Sequence, residues 1–210
     1  KRWFIGRDQS YHGISSDNLS FCDRPNLQIF EPFYPALRSR IGEHNEYRHR
    51  LPGEDRHAYA RRSAQFLEAE ILRVGPENVA AFIGETMQGA LVGAVPAVPG
   101  YWQAIREICD RYDVHLILDE VWCGNGVSGH YYCAEWDNVT PDFLTMGKVL
   151  GAGYAPVSVV VLGEGVGGIL ESSKQGRIQH GSTYQSYTLG IAAALASQRI
   201  VIGEGFLEGV

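Results

Sequence analysis

Lysine is nearly missing from this chain. Only Lys1, Lys148 and Lys174 occur among 210 residues, and every other basic residue of the Lys/Arg set is arginine. Positive charge is scarce overall: the formal net charge is −6, which speaks against a nucleic-acid partner, because such domains carry a basic surface. Long apolar runs are absent too. None approaches the ~20 residues needed to span a bilayer, and the opening "KRWFIGRDQS" lacks the apolar segment of a signal peptide. Because the first residue is not Met, a trimmed or fragmentary chain is expected. The cysteines, Cys22, Cys109, Cys123 and Cys133, form no C-x-x-C pair. That removes zinc-ribbon and thioredoxin-type sites. No activating partner marks any of them as a nucleophile, and reduced thiols point to a cytoplasmic protein. There is no internal repeat and no low-complexity tail.

The chain has the size of one domain, or most of one, and an ordinary globular composition, 45% hydrophobic and 20% charged. Residues 57–73, "HAYARRSAQFLEAEILR", place apolar side chains at helical spacing and stop at "GP". "VAAFIGE" reads as a buried strand, "PGYWQAIREICDRYD" as a helix with Pro near its start, and "VHLILDE" and "VSVVVLG" as further buried strands. A last helix covers roughly 188–202. Apolar strands alternating with helices predict an α/β fold, a mostly parallel sheet with helices on both faces. Residues 38–62, with seven arginines and four acids, read as a solvated loop leading into the first helix.

Lys148 follows the apolar stretch "FLTM" and precedes the Gly-rich "GAGY". "VHLILDE" ends in Asp119 and Glu120, and open α/β sheets bind ligands at the carboxyl ends of their strands. An acid and a lysine at neighbouring strand ends would converge on one crevice; the structural alternative is a salt bridge. Three chemistries compete. A strand ending in "DE" resembles a magnesium-binding segment of an ATPase, but no G-x-x-x-x-G-K-[ST] exists to hold phosphates. "GNGVSG" at 124–129 fits G-x-G-x-x-G, yet it leads into the aromatic, Pro-broken "HYYCAEWDNVTPD" rather than a helix. The third is a pyridoxal phosphate (PLP) enzyme, in which a lysine holds the cofactor as a Schiff base and an Asp pairs with the pyridinium nitrogen. Asp119 and Lys148 supply both parts.

The ordered segments "SYHG" (10–13), "AAFIGETMQGALVGAVPAVPGYWQAIREICDRYDVHLILDEV" (80–121), "GNGVSGHYYCAEWDNVTPDFLTMGKVLGAGYAP" (124–156) and "HGSTYQSYTLGIAAALA" (180–196) together resemble the class III aminotransferases. These are fold-type I PLP enzymes that include ω-amino acid, ornithine and 4-aminobutyrate aminotransferases. The resemblance runs over nearly all 210 residues. It implies that Lys148 is the Schiff-base lysine and the base that moves the substrate proton. Asp119 would keep the ring nitrogen protonated. Val121 would pack on one ring face and Tyr11 stack on the other. His12, beside Tyr11, joins the cofactor-binding set with a local hydrogen-bonding role, and Glu85 matches the Glu of the family's "EP" dipeptide. Thr183 matches a Thr that reaches the cofactor phosphate from the neighbouring subunit, which implies a homodimer with shared sites.

Some positions depart from the family pattern. Ala90 stands where ornithine- and 4-aminobutyrate-type members carry a Glu, and Trp122 replaces a Gln that contacts the cofactor ring hydroxyl. Thr86 replaces the Pro after Glu85, and "YTLG" replaces a more usual Asn/His-Pro-Leu. The upstream phosphate-binding segment and the C-terminal small domain of the family are not in the sequence, so residues 1–210 are expected to be the central part of the PLP-binding large domain. The expected reaction moves an amino group from an amino acid or amine, an ω-amino donor being favoured, to a keto acid. An amino-shifting mutase, a decarboxylase or a non-catalytic relative of the same fold are the alternatives.

Overall fold

Short strands of four to seven residues make the main sheet, apolar runs in VAAFIGE, HLILD, FLTM and VVVL and a polar RSRI at one edge. The computed structural model describes residues 1–22 and 24–210. Six strands form the main sheet: β1 (Trp3–Arg7), β2 (Arg38–Ile41), β3 (Val79–Glu85), β6 (His115–Asp119), β7 (Phe143–Met146) and β8 (Val159–Leu162), in the order β2-β1-β3-β6-β7-β8. The first five are parallel, and β8 runs antiparallel to β7. A two-residue pair, β4 (Met87–Gln88) with β5 (Val95–Pro96), forms a small hairpin beyond the end of β3. The chain order reverses between β1 and β3, the position at which open parallel sheets hold ligands.

The helices are α1 (Ser16–Leu19), α2 (Glu46–His49), α3 (Arg56–Val74), α4 (Tyr101–Arg111), α5 (Glu164–Ser172) and α6 (Thr188–Val201). Asp55 caps α3 by accepting from the N–H groups of His57 and Ala58 at 2.9 and 3.0 Å. Gly75, at φ +92°, ends it. Tyr59, Ser63, Leu67 and Ile71 recur on the buried face of α3, and Trp102, Ile105 and Cys109 do so on α4. Both helices pack with Ile5, Phe82, Leu116 and Leu118 from the central strands. The opposite face is covered at one end by Phe21, whose ring lies where a side chain on Gly6 would stand. Beside it runs an apolar groove of about 680 Å³ lined by Phe4, Leu37, Ile83 and Ile117.

Two strand expectations need correction. Residues 38–62 are not all loop: Arg38–Ile41 is an edge strand and Glu46–His49 a helical turn. The arginines remain near solvent, paired in Arg48–Glu43 and Arg62–Glu54, so the charge pattern concealed the buried Ile41, His44 and Asn45 between them. The "VSVVVLG" strand is not buried. As the antiparallel sheet edge it leaves Val160 61% exposed. A continuous β-branched run marks a strand, but it carries neither direction nor position in the sheet. α6 also shows exposed apolar side chains, among them Leu189 and Leu195.

Candidate active site

β6 and β7 lie side by side with Asp119 opposite Thr145, and both strands end at the same edge. Three residues beyond Thr145 comes Lys148, so the sheet brings the acid and the lysine to neighbouring strand ends, although Asp119 is not among the residues lining the cavity beside Lys148. Lys148 is exposed and opens a turn of 3-10 helix. Its backbone is left-handed, at φ +43°. A non-glycine residue in that region is strained, and such strain gathers at functional sites. Among the described residues none pairs with its Nζ. Lys148 lines a cavity of about 750 Å³ with Ser158, His180, Ser182, Gln185 and Tyr187.

Asp119 is buried and gripped by three donors. Nδ1 of His12 lies 2.8 Å from Oδ2. The N–H of Val121 and the hydroxyl of Thr145 donate to Oδ1 at 3.0 and 3.1 Å. Burial opposes ionisation, but the His12 hydrogen bond and charge, with the Val121 and Thr145 donors, outweigh it and hold the carboxyl below its usual range. A carboxylate has about four acceptor positions. Among the described residues three are filled, which leaves one on Oδ2.

Val121 is half-buried against the next strand end. Its Cγ1 lies 3.3 Å from where a Cβ on Gly147 would stand, so a glycine before Lys148 lets the two strand ends close up. Glu85 turns its carboxylate to two backbone donors, Tyr11 N–H at 2.9 Å and Gly89 N–H at 3.0 Å. It ties the Tyr11 loop to the end of β3. The Tyr11 ring carries the Arg24 guanidinium over it at 4.5 Å. Thr183 sits in an exposed turn ahead of α6, and among the described residues nothing ties it to Asp119 or Lys148. Its neighbours Ser182 and Tyr184 do line the Lys148 cavity.

Two contributors were not foreseen. Glu120, fully buried, accepts from the N–H groups of Cys133 and Ala134 at 2.8 and 2.7 Å and from the Thr86 hydroxyl at 3.2 Å. Its carboxyl is raised by burial, which those donors only partly offset. It thereby fastens the 124–134 loop next to Asp119. Thr145 stands in the sequence as part of an apolar stretch; its hydroxyl contact depends on strand register, for which the sequence has no local signal.

The family model described as "Aminotransferase class-III" matches residues 1–210. The chain is 40% identical over 97% of its length to an uncharacterized aminotransferase of Schizosaccharomyces pombe, of which the match covers 44%. It is 37% identical over 98% of its length to the diaminobutyrate–2-oxoglutarate transaminase of Halomonas elongata, covering 44% of it. Among solved structures, the PMP-bound aminotransferase of Vibrio fluvialis superposes with a TM-score of 0.89 at 31% identity, covering 99% of this chain and 46% of that one. An omega-aminotransferase of Paracoccus denitrificans gives 0.88 at 31% identity, with the same coverage. The chain belongs to the class III aminotransferase family. It spans less than half the length of these relatives.

Proposed function

We propose that this chain serves a PLP-dependent transaminase that passes an amino group from an ω-amino acid or amine to a keto acid. The observation that carries the reading is Asp119 with one acceptor position open among the described residues, at the strand end next to that of Lys148, which pairs with none of them. That acceptor set suits a ligand with a single ring N–H. When bound, PLP supplies an electron-accepting ring that stabilises the charge left when the substrate loses its proton.

The chain's residues divide the remaining work. Lys148 would hold the cofactor covalently through Nζ and, once displaced by substrate, would carry the proton to and from the substrate carbon. Asp119 would accept the ring N–H and, being ionised, keep that proton in place. Val121 and Tyr11 would cover the two ring faces, His12 would orient Asp119, and Glu85 would hold the Tyr11 loop. Residues 1–210 are assigned to the PLP-binding large domain. Thr183 is assigned to the phosphate of a partner subunit's site in a homodimer, which its exposure and the apolar surface of α6 support. Four unpaired cysteines favour a cytoplasmic setting. Ala90 in place of a family Glu, together with the omega-aminotransferase of Paracoccus denitrificans among the structural neighbours, supports the ω-amino donor.

The test is to incubate the chain with PLP, reduce with borohydride and map the modified peptide by mass spectrometry. Label on Lys148, absent from Lys148→Ala, is expected. Label spread over Lys1 and Lys174 instead would remove the reading.

A further inference from the structure

The side chain of Thr145 lies on the strand next to Asp119, in register with it, and its hydroxyl is 3.1 Å from Oδ1. The carbonyl of Thr145 accepts from Glu120 N–H at 2.9 Å, continuing the β6–β7 pairing one residue past Asp119. One residue therefore holds the end of β6 by its backbone and the carboxylate by its side chain. Val121 N–H adds the second donor to Oδ1. With Oδ1 filled by two donors, the carboxylate cannot rotate about its last bond without breaking both. The open acceptor position is thereby confined to Oδ2, beside the one taken by His12.

We propose that Thr145 is a positioning residue: its hydroxyl fixes which oxygen of Asp119 faces the cofactor ring and keeps that carboxylate ionised. This rests on the assignment of Asp119 to the ring nitrogen. It explains why a polar β-branched residue stands in a stretch otherwise built of Phe143, Leu144 and Met146. A valine has the same β-branched shape and lacks the hydroxyl donor. Among the described residues, the titratable side chain bonded to Asp119 is His12, on the opposite oxygen.

The experiment compares Thr145→Val and Thr145→Ser with the unmodified chain in two measurements. The first is the Asp119 carboxyl titration, followed by NMR on ¹³C-aspartate-labelled protein without cofactor and assigned with Asp119→Asn. Loss of one hydrogen bond to a charged group predicts that Thr145→Val moves the Asp119 midpoint up by about one unit, and that Thr145→Ser restores it. The second is PLP affinity by equilibrium dialysis: about tenfold weaker for Thr145→Val and near normal for Thr145→Ser. Thermal melting of each variant separates these effects from unfolding. An Asp119 midpoint unchanged in Thr145→Val overturns the proposal. The titration needs no cofactor, so it decides the role of Thr145 separately. A chain that takes up no PLP, with the midpoint moving as expected, would instead overturn the transaminase reading and the cofactor-facing half of the proposal with it.

Discussion

Nδ1 of His12 and Oδ2 of Asp119, 107 positions apart in sequence, meet at 2.8 Å in the interior. An ionised carboxylate only accepts, so Nδ1 carries the proton. Asp119 holds this contact while almost fully screened from water, where a hydrogen bond to a charged group contributes roughly 1.5–3 kcal/mol.

Removing the imidazole should therefore weaken PLP binding about tenfold in His12→Ala, measured by equilibrium dialysis. His12→Asn, whose amide nitrogen can reach the place of Nδ1, should recover most of that loss. Equal affinity of His12→Ala and the unmodified chain would show that His12 does not support Asp119.

Lys148 sits at φ +43°, a conformation that costs an L-residue roughly 1–2 kcal/mol and costs glycine nearly nothing. Its side chain is exposed and, among the described residues, unpaired. Lys148→Gly should thus leave the stability to urea unchanged or raise it by up to about 1 kcal/mol, while abolishing borohydride-fixed label. A marked loss of stability would mean that the lysine serves the fold rather than the chemistry.

His44 is 2% exposed and stacks on Tyr101 at 3.8 Å. Nδ1 lies 2.9 Å from the Ser63 hydroxyl, and Nε2 accepts from Val98 N–H. Burial, then the charges of Arg7 and His49, bring its pKa down to about 3 from 6.5. The folded chain keeps this ring neutral while the unfolded chain protonates it. The stabilisation is therefore complete above pH 6.5 and is lost as the pH falls toward 3. Between pH 7 and 5 the unfolding free energy should drop by about 2 kcal/mol from this group alone. In His44→Gln that drop should shrink by about the same amount in urea titrations. An unchanged drop would assign the acid sensitivity to other groups.

All four cysteines are buried and unpaired. Burial pushes the Cys109 thiol up to about 12, and a hydrogen bond with Cys133 together with burial raises Cys123. The native chain should react negligibly with Ellman's reagent over minutes and yield four equivalents in denaturant. One fast equivalent under native conditions would reveal an accessible thiolate and contradict this packing.

The local elements and the outline of the site were legible in the residues alone. Helical spacing gave α3 and α4 to within a few residues, β-branched runs gave β3 and β6, and the position of Asp119 and Lys148 at strand ends followed from where those runs stop. Such signals are legible because periodicity records which face of an element is buried. That β8 is an exposed antiparallel edge, that β1 and β2 exist at all, and that Thr145 stands opposite Asp119 emerge from the folded chain. The same holds for His12 against Asp119 and Glu85 against the Tyr11 loop. Those contacts depend on strand register and on chain segments 26 to 107 residues apart, and no local pattern of side chains encodes which distant donor will reach a given carboxylate.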